Sequence, residues 1–74
     1  MEDEKIKNAI NAFVKNLKFE RTMRKLSQKD VAREIGITPQ SYQAYESGLT
    51  LPTTENLLKI TMLFDVSLDD LFEL

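Results

Sequence analysis

Apolar residues recur at helical spacing through the first part of the chain. They fall on one face, at intervals of three or four residues: Ile6, Ile10, Phe13, Val14 and Leu17. No glycine or proline interrupts residues 1–35. This pattern predicts a long first helix that begins at residue 3 or 4 and ends at residue 24 or 25.

A second helix and a tight turn follow. Ser27 with Asp30 three residues later is typical of a capping box, which predicts a helix over residues 28–35. Gly36 comes directly after the last apolar position of that helix. A helix is commonly closed at this point by a residue with left-handed backbone angles, and glycine adopts them at little cost.

The third helix is predicted over residues 39–46. Thr38 is a typical N-cap, and Pro39 stands at the first helical position, where no backbone donor is needed. Tyr42 and Tyr45, three residues apart, face the second helix. Short side chains are left on or near the outer face: Gln40, Ser41, Gln43 and Ala44. Polar side chains at the exposed N-terminal end of a helix suit the reading of base edges in DNA.

Two more helices are predicted after the loop that contains Gly48 and Pro52. Thr53 or Thr54 caps a fourth helix, which ends before Asp65. Ser67 and Asp70 form another capping-box pattern and open a short fifth helix. The chain is therefore expected to be all-α, with five helices.

Length and composition narrow the class of protein. A chain of 74 residues with 42% hydrophobic side chains forms one domain with a small helical core. It has no cysteine and no histidine, which removes disulfides and the commonest metal ligand and general base. No glycine-rich phosphate loop or nucleophile–base set is present, so we expect no enzyme and no cofactor. No membrane span or signal peptide is evident, which predicts a soluble cytoplasmic protein.

Charge is distributed unevenly along the chain. The net charge is −2, yet residues 5–33 hold nine of the ten basic side chains and only two acidic ones. Residues 34–74 hold one lysine against seven acids. This asymmetry is what a protein with one face toward phosphates would show, although an ordinary solvated helix surface would also produce it.

The motifs resemble those of the Cro/cI (XRE-type) helix-turn-helix repressor family. The resemblance covers residues 13–74 and leaves residues 1–12 as an N-terminal extension of the first helix. It rests on a set of residues at the spacing of that family: Gln28, Ala32, Gly36, Ile37, Tyr42, Tyr45, Glu46, Gly48 and Pro52, followed by the run from Phe64 to Leu71. The fold it implies is a five-helix lambda-repressor-like DNA-binding domain, and the partner it implies is double-stranded DNA.

The resemblance also implies which residues contact DNA. The third helix would read bases in the major groove, while the start of the second helix would bind a phosphate. The expected DNA-binding residues are Arg24, Gln28, Lys29, Thr38, Gln40, Ser41, Gln43 and Ala44. Gln28 is expected to brace either that phosphate or the recognition helix, and Thr38 can be a cap alone. Arg21 and Glu46 match a paired Arg and Glu that tie the first helix to the end of the third.

Three positions depart from the family pattern. Pro39 and Ala44 stand where relatives often carry longer base-reading side chains, so fewer direct base contacts are expected. Leu49 replaces a basic residue. A phosphate contact there would have to come from the backbone amides of residues 48–50.

Two functions remain open at this point. The first is a sequence-specific transcriptional regulator, a repressor of prophage or plasmid type, that acts as a homodimer. The second is a protein-interaction module on the same fold, such as an antitoxin or an anti-repressor partner. The dimer surface is expected around residues 64–74, with the N-terminal extension as the alternative. Either surface is small, so the dimer is expected to depend on DNA.

Overall fold

The structure is a computed structural model that describes residues 2–74. Over this range the chain folds into five α-helices and no strand. The helices are α1 (Glu2–Met23), α2 (Gln28–Ile35), α3 (Pro39–Ser47), α4 (Thr54–Phe64) and α5 (Leu68–Phe72). The all-α, five-helix prediction is thereby confirmed.

Helix α1 is continuous through the predicted extension and ends slightly earlier than expected. Three acidic residues occupy its first turn, where negative charge interacts favourably with the helix dipole. At its C-terminal end the amide of Lys25 donates to the carbonyl of Thr22 at 3.0 Å, and Lys25 itself has a φ of 57°. A left-handed residue cannot continue a right-handed helix, which explains the end at Met23.

Local capping fixes the turn between α2 and α3. Ser27 accepts from the amide of Asp30 at 2.9 Å, and the carboxylate of Asp30 accepts from the amide of Ser27 at 2.9 Å. Gly36 closes α2 with a φ of 76°, and Thr38 caps α3 by accepting from the amide of Ser41 at 3.1 Å. The capping box, the glycine turn and the second cap all occur at the positions that the sequence predicts.

The last two helices are capped with less complete motifs. Thr53 is the N-cap of α4, and Asp65 closes it in the left-handed region with a φ of 54°. Ser67 accepts from the amide of Asp70 at 3.0 Å, but within the described residues the Asp70 carboxylate returns no bond. Only half of this predicted capping box forms.

The core is built where α1 packs on α3 and α5 and where α2 packs on α3 and α4. Ten hydrophobic residues are buried: Phe13, Leu17, Val31, Ala32, Ile35, Tyr42, Tyr45, Ile60, Phe64 and Leu71. Ala32 is fully buried, and α2 and α3 pack closely. A longer side chain at this position would push the two helices apart.

Helix α5 folds back onto the middle of α1. The rings of Phe13 and Phe72 stack with centroids 4.8 Å apart and planes 11° from parallel. The side-chain amide of Asn16 donates to the carbonyl of Leu71 at 2.9 Å and to the carboxylate of Glu73 at 3.0 Å. These contacts hold the C-terminal segment beside the middle of α1.

None of the helices within residues 2–74 is both long enough and apolar enough to cross a bilayer.

Two residues with positive φ, which close α4 and α2, allow a prediction about the free energy of unfolding. Asp65→Gly should raise the free energy of unfolding by about 0.5–1 kcal/mol, because it removes left-handed strain and a negative charge at the C-terminal end of α4. Gly36→Ala should lower it by about 1 kcal/mol, although a Cβ at Gly36 would meet no atom within 4 Å. Urea unfolding followed by circular dichroism measures both changes.

Asp65→Asn is the control for this pair, because it removes the charge and keeps a side chain. A gain for asparagine equal to that for glycine would assign the whole effect to charge. A loss of stability in Asp65→Gly would contradict the prediction.

Candidate nucleic-acid interface

The site is organised by an ion pair between α1 and the end of α3. Arg21 Nε lies 2.6 Å from Glu46 Oε2, and Arg21 Nη2 lies 3.0 Å from Oε1. The side chains retain only 12% and 4% of their exposure. This is the pairing expected from the sequence, in the two-pronged geometry that makes Arg–carboxylate pairs strong and directional.

Two further side chains donate to the same carboxylate. The hydroxyl of Tyr42 donates to Oε2 of Glu46 at 2.5 Å, and the side-chain amide of Gln28 donates to Oε1 at 3.0 Å. Arg21 also donates to the carbonyl of Leu26 at 2.9 Å. The Glu46 carboxylate therefore connects α1, the start of α2 and the third helix.

These bonds determine the charge state of the cluster. Burial would raise the pKa of Glu46, but the hydrogen bonds from Arg21, Tyr42 and Gln28 outweigh it and lower that pKa. The hydrogen bond to Glu46 raises the pKa of Arg21. Burial, followed by the hydrogen bond to Glu46, raises the pKa of the Tyr42 hydroxyl. The carboxylate stays ionised and the tyrosine stays protonated at neutral pH.

Helix α3 presents an uncharged polar face. Gln40 and Gln43 are exposed, and their amides bond to no residue in the described part of the chain. Ser41 is also exposed, and its hydroxyl accepts from that of Thr38 at 2.9 Å. Ala44 is half-buried. The two glutamines are thus the longest side chains on this face with free donors and acceptors.

The start of α2 lies next to the cluster and exposes a lysine. The backbone amides of Gln28 and Lys29 have no partner among residues 2–74, as expected for the first turn of a helix. The Gln28 side chain points to Glu46, so of the two roles predicted for it, this structure shows the bracing of α3. Lys29 is exposed and its ammonium forms no ion pair with a described residue.

Arg24 has a structural environment that its sequence position did not reveal. Its guanidinium donates to the carboxylate of Glu20 at 2.8 Å and to the carbonyl of Phe64 at 2.6 Å. It also lies 5.0 Å from the centre of the Phe64 ring. A phosphate contact would have to compete with these interactions, so we leave Arg24 out of the interface.

The amides of residues 48–50 are not available as expected. Gly48 donates to the carbonyl of Tyr45 at 3.3 Å, while Leu49 and Thr50 donate to that of Ala44 at 3.0 Å and 3.3 Å. Gly48 closes α3 with a φ of 79°, and this cap uses the amides that we assigned to phosphate. The prediction is wrong for this conformation, and the Leu49 side chain is left 80% exposed.

The partners of the two tyrosine hydroxyls were not predicted from the sequence. Tyr42 bonds to Glu46 one helical turn later, and Tyr45 accepts from the side-chain amide of Asn56 at 3.1 Å. The bond from Tyr42 to Glu46 could have been predicted from the sequence, since residues four apart on a helix are neighbours and a buried hydroxyl needs a hydrogen-bond partner. The second depends on how α4 packs on α3, which no local pattern shows.

The sequence of this chain matches a known protein family. A family model described as "Helix-turn-helix" matches residues 17–71. The matched segment covers the C-terminal third of α1, all of α2, α3 and α4, and most of α5. The chain belongs to the helix-turn-helix family, and the XRE-type resemblance noted from its motifs is confirmed.

Individual relatives carry names of the same kind. The chain is 43% identical over 61 residues to an uncharacterized HTH-type transcriptional regulator, YqaE, of Bacillus subtilis. It is 51% identical over 45 residues to the cryptic phage CTXphi transcriptional repressor RstR of Vibrio cholerae. An uncharacterized HTH-type transcriptional regulator of Methanocaldococcus jannaschii is 34% identical over 56 residues.

The extent of these matches differs. They cover 82%, 61% and 76% of this chain, in the same order. The chain spans 53% of the Bacillus protein, 40% of the Vibrio repressor and 85% of the Methanocaldococcus protein. No solved structure matches this chain.

The Glu46 cluster leads to a double-mutant prediction. Arg21→Met should lower the free energy of unfolding by about 1–3 kcal/mol, because it leaves a buried carboxylate without its cation. Arg21→Met combined with Glu46→Leu should recover much of that loss. Chemical denaturation of the two single variants and the double variant measures the coupling.

The exposed pair Arg33–Asp30, whose Arg33 side chain is 66% exposed, is the control. Arg33→Met should cost less than about 1 kcal/mol. Losses that simply add in the Arg21/Glu46 double variant would show that the buried pair is not coupled.

Proposed function

We propose that this protein is a sequence-specific DNA-binding transcriptional regulator, a repressor of prophage or plasmid type, that inserts α3 into the major groove. The observation that carries the proposal is the pair of exposed, partner-free glutamines, Gln40 and Gln43, on a helix whose far end is held by Glu46. The names of the relatives support the same activity, and one of them is a phage repressor.

Base reading falls mainly to Gln40. Its amide has a donor and an acceptor side by side, which match N7 and N6 of adenine. Gln43 contacts an outer base, and Ser41 contacts a base or a phosphate. Thr38 caps the N-terminus of α3. The methyl group of Ala44 packs against a thymine methyl.

Phosphate binding falls to the start of α2. The free amides of Gln28 and Lys29 lie at the positive end of the helix dipole and provide an anion site. The Lys29 ammonium is free to add a charge contact. The side-chain amide of Gln28 already donates to Glu46. A phosphate bound at the start of α2 would therefore lie next to a side chain that is bonded to α3, and this couples the phosphate contact to the position of α3.

A single domain of this kind reads too few bases to discriminate among many sites. Pro39 and Ala44 cannot donate hydrogen bonds through their side chains, which reduces the direct contacts further. We therefore propose a homodimer on a nearly palindromic operator, with two recognition helices one turn of DNA apart.

A second candidate is favoured by one observation. The exposed face of α3 holds no charged side chain, and Leu49 beside it is 80% exposed. Such a face also suits a protein partner, as in an antitoxin or an anti-repressor partner. Retardation of random DNA at low salt separates the candidates, because an interaction module without DNA affinity would cause none.

Gln40→Ala tests the role of α3. It should weaken binding to the preferred site by about 1–3 kcal/mol and leave binding to random DNA almost unchanged. Sites selected from random DNA supply the preferred sequence, and fluorescence anisotropy measures both affinities. Asn11→Ala, at an exposed position of α1, is the control and should change neither. An equal loss on both DNAs would show that Gln40 does not read sequence.

Salt dependence tests the phosphate site. Affinity should fall steeply with salt, and Lys29→Gln should reduce the slope of log affinity against log salt by about 0.9. Lys59→Gln should leave the slope unchanged, because Lys59 lies on α4 and is paired with Glu55 at 3.2 Å. DNA binding whose affinity does not change with salt would contradict the proposed phosphate site at the start of α2.

A further inference from the structure

Lys18 is the one basic side chain in the second half of α1 that has no partner within residues 2–74. Lys15 lies 3.5 Å from the carboxylate of Glu73, and Arg21 is bound to Glu46. Lys18 is exposed, and its ammonium forms neither an ion pair nor a hydrogen bond with a described residue. No internal contact accounts for its charge, so the ammonium is free to bind an external anion.

The place of Lys18 on α1 is beside the C-terminal end of α3. The Cγ2 atom of Val14 would lie 3.6 Å from a Cβ at Gly48, and Arg21 binds Glu46. Lys18 follows Val14 by four residues and precedes Arg21 by three, so the three side chains share one stripe of the helix. Lys18 therefore lies between two residues that both contact the end of α3.

This end of α3 has no group of its own that could bind an anion. The amides of Gly48, Leu49 and Thr50 are used within the helix cap. Residues 47–50 carry no charged side chain. The C-terminal end of a helix also bears a partial negative charge, which repels a phosphate. An anion at this position needs a cation from another element, and Lys18 of α1 is the adjacent free one.

A DNA strand bound at the start of α2 passes close to this position. Gln28, the first residue of α2, and Arg21 bond to the same carboxylate of Glu46. Along the axis of α1, Lys18 is about 4.5 Å from Arg21. One strand of a duplex carries a phosphate for about every 3.4 Å of its axis. Successive phosphates of one strand therefore match the spacing between the start of α2 and Lys18.

We propose that Lys18 binds a second DNA phosphate, beside the C-terminal end of α3 and next along the strand to the phosphate at the start of α2. This inference rests on the proposed function, because it concerns the same DNA complex. It assigns the contact at the uncharged end of α3 to a side chain of α1. A phosphate contact fixes the position of the protein on the duplex and carries no sequence information.

Substitution of Lys18 tests the charge contact. Lys18→Gln should lower the slope of log affinity against log salt by about 0.9, which is a loss of about eightfold in affinity at about 0.1 M salt. Lys18→Arg keeps the charge and should keep the slope. Fluorescence anisotropy on the preferred site measures both.

Lys5→Gln is the matched control, because it removes the same charge from the same helix. Lys5 lines a cavity together with Phe72 and Glu73, so it lies on the side of α1 that faces α5. The slope should not change in this variant. Equal effects of Lys5→Gln and Lys18→Gln would assign the loss to overall charge and would overturn the proposal.

The two kinds of DNA distinguish a phosphate contact from a base contact. Lys18→Gln should weaken binding to the preferred site and to random DNA by the same factor. Gln40→Ala, in contrast, is expected to affect the preferred site alone. A loss in Lys18→Gln that is confined to the preferred site would show that Lys18 acts on base reading, and the phosphate assignment would be wrong.

Neutral phosphates locate the contact. A set of duplexes with the preferred sequence carries one uncharged methylphosphonate each, at successive positions. The wild type should lose affinity at two neighbouring positions. Lys29→Gln should be less sensitive than the wild type at one of them, and Lys18→Gln at the other. If both variants lose sensitivity at the same position, or Lys18→Gln loses it at none, there is no second phosphate site.

The outcomes separate this inference from the proposed function. A wild type that binds no duplex DNA would overturn both. A wild type that binds DNA, with a lower salt slope in Lys29→Gln and an unchanged slope in Lys18→Gln, would overturn the Lys18 site alone and leave the proposed function in place.

Discussion

The carboxylate of Glu46 is where the first three helices are joined. Arg21 reaches it from α1, Gln28 from α2 and Tyr42 from within α3, and every one of these contacts is a hydrogen bond to one of its two oxygens. The angle between α2 and α3 depends on apolar packing around Ala32, but packing alone allows small slips. Directional bonds to one ionised group remove that freedom, so the exposed face of α3 has a defined position relative to the start of α2.

The side chains proposed to attract phosphate and those proposed to read bases lie in different parts of the molecule. The unpaired basic side chains lie in the first half of the chain, and the exposed face of α3 has none. Under the proposed function, attraction to phosphates and discrimination between bases can therefore vary independently. The acidic second half of the chain limits the total electrostatic attraction that the protein can offer to a polyanion.

Local chemistry explains why most of the fold could be predicted. The caps at Ser27, Thr38 and Ser67 and the turn at Gly36 involve residues three or four apart, and such motifs are visible in a sequence. The environment of Arg24 was not visible, because Phe64 is 40 residues away. The amides after α3 were misassigned for a related reason, since their role follows from how the chain closes that helix. Side chains on the outer face of α3 could be named, but their targets remain predictions.

The two tyrosines also determine how the protein can be observed. The chain has no tryptophan and no cysteine, and Tyr42 and Tyr45 are its only tyrosines. Both are buried in α3, with hydroxyls bonded to Glu46 and to Asn56. Near-ultraviolet absorption and circular dichroism of tyrosine therefore come from this one helix, and the circular dichroism is lost when the packing of the helix is lost. The protein therefore carries an intrinsic optical reporter for the packing of α3, and no label is needed.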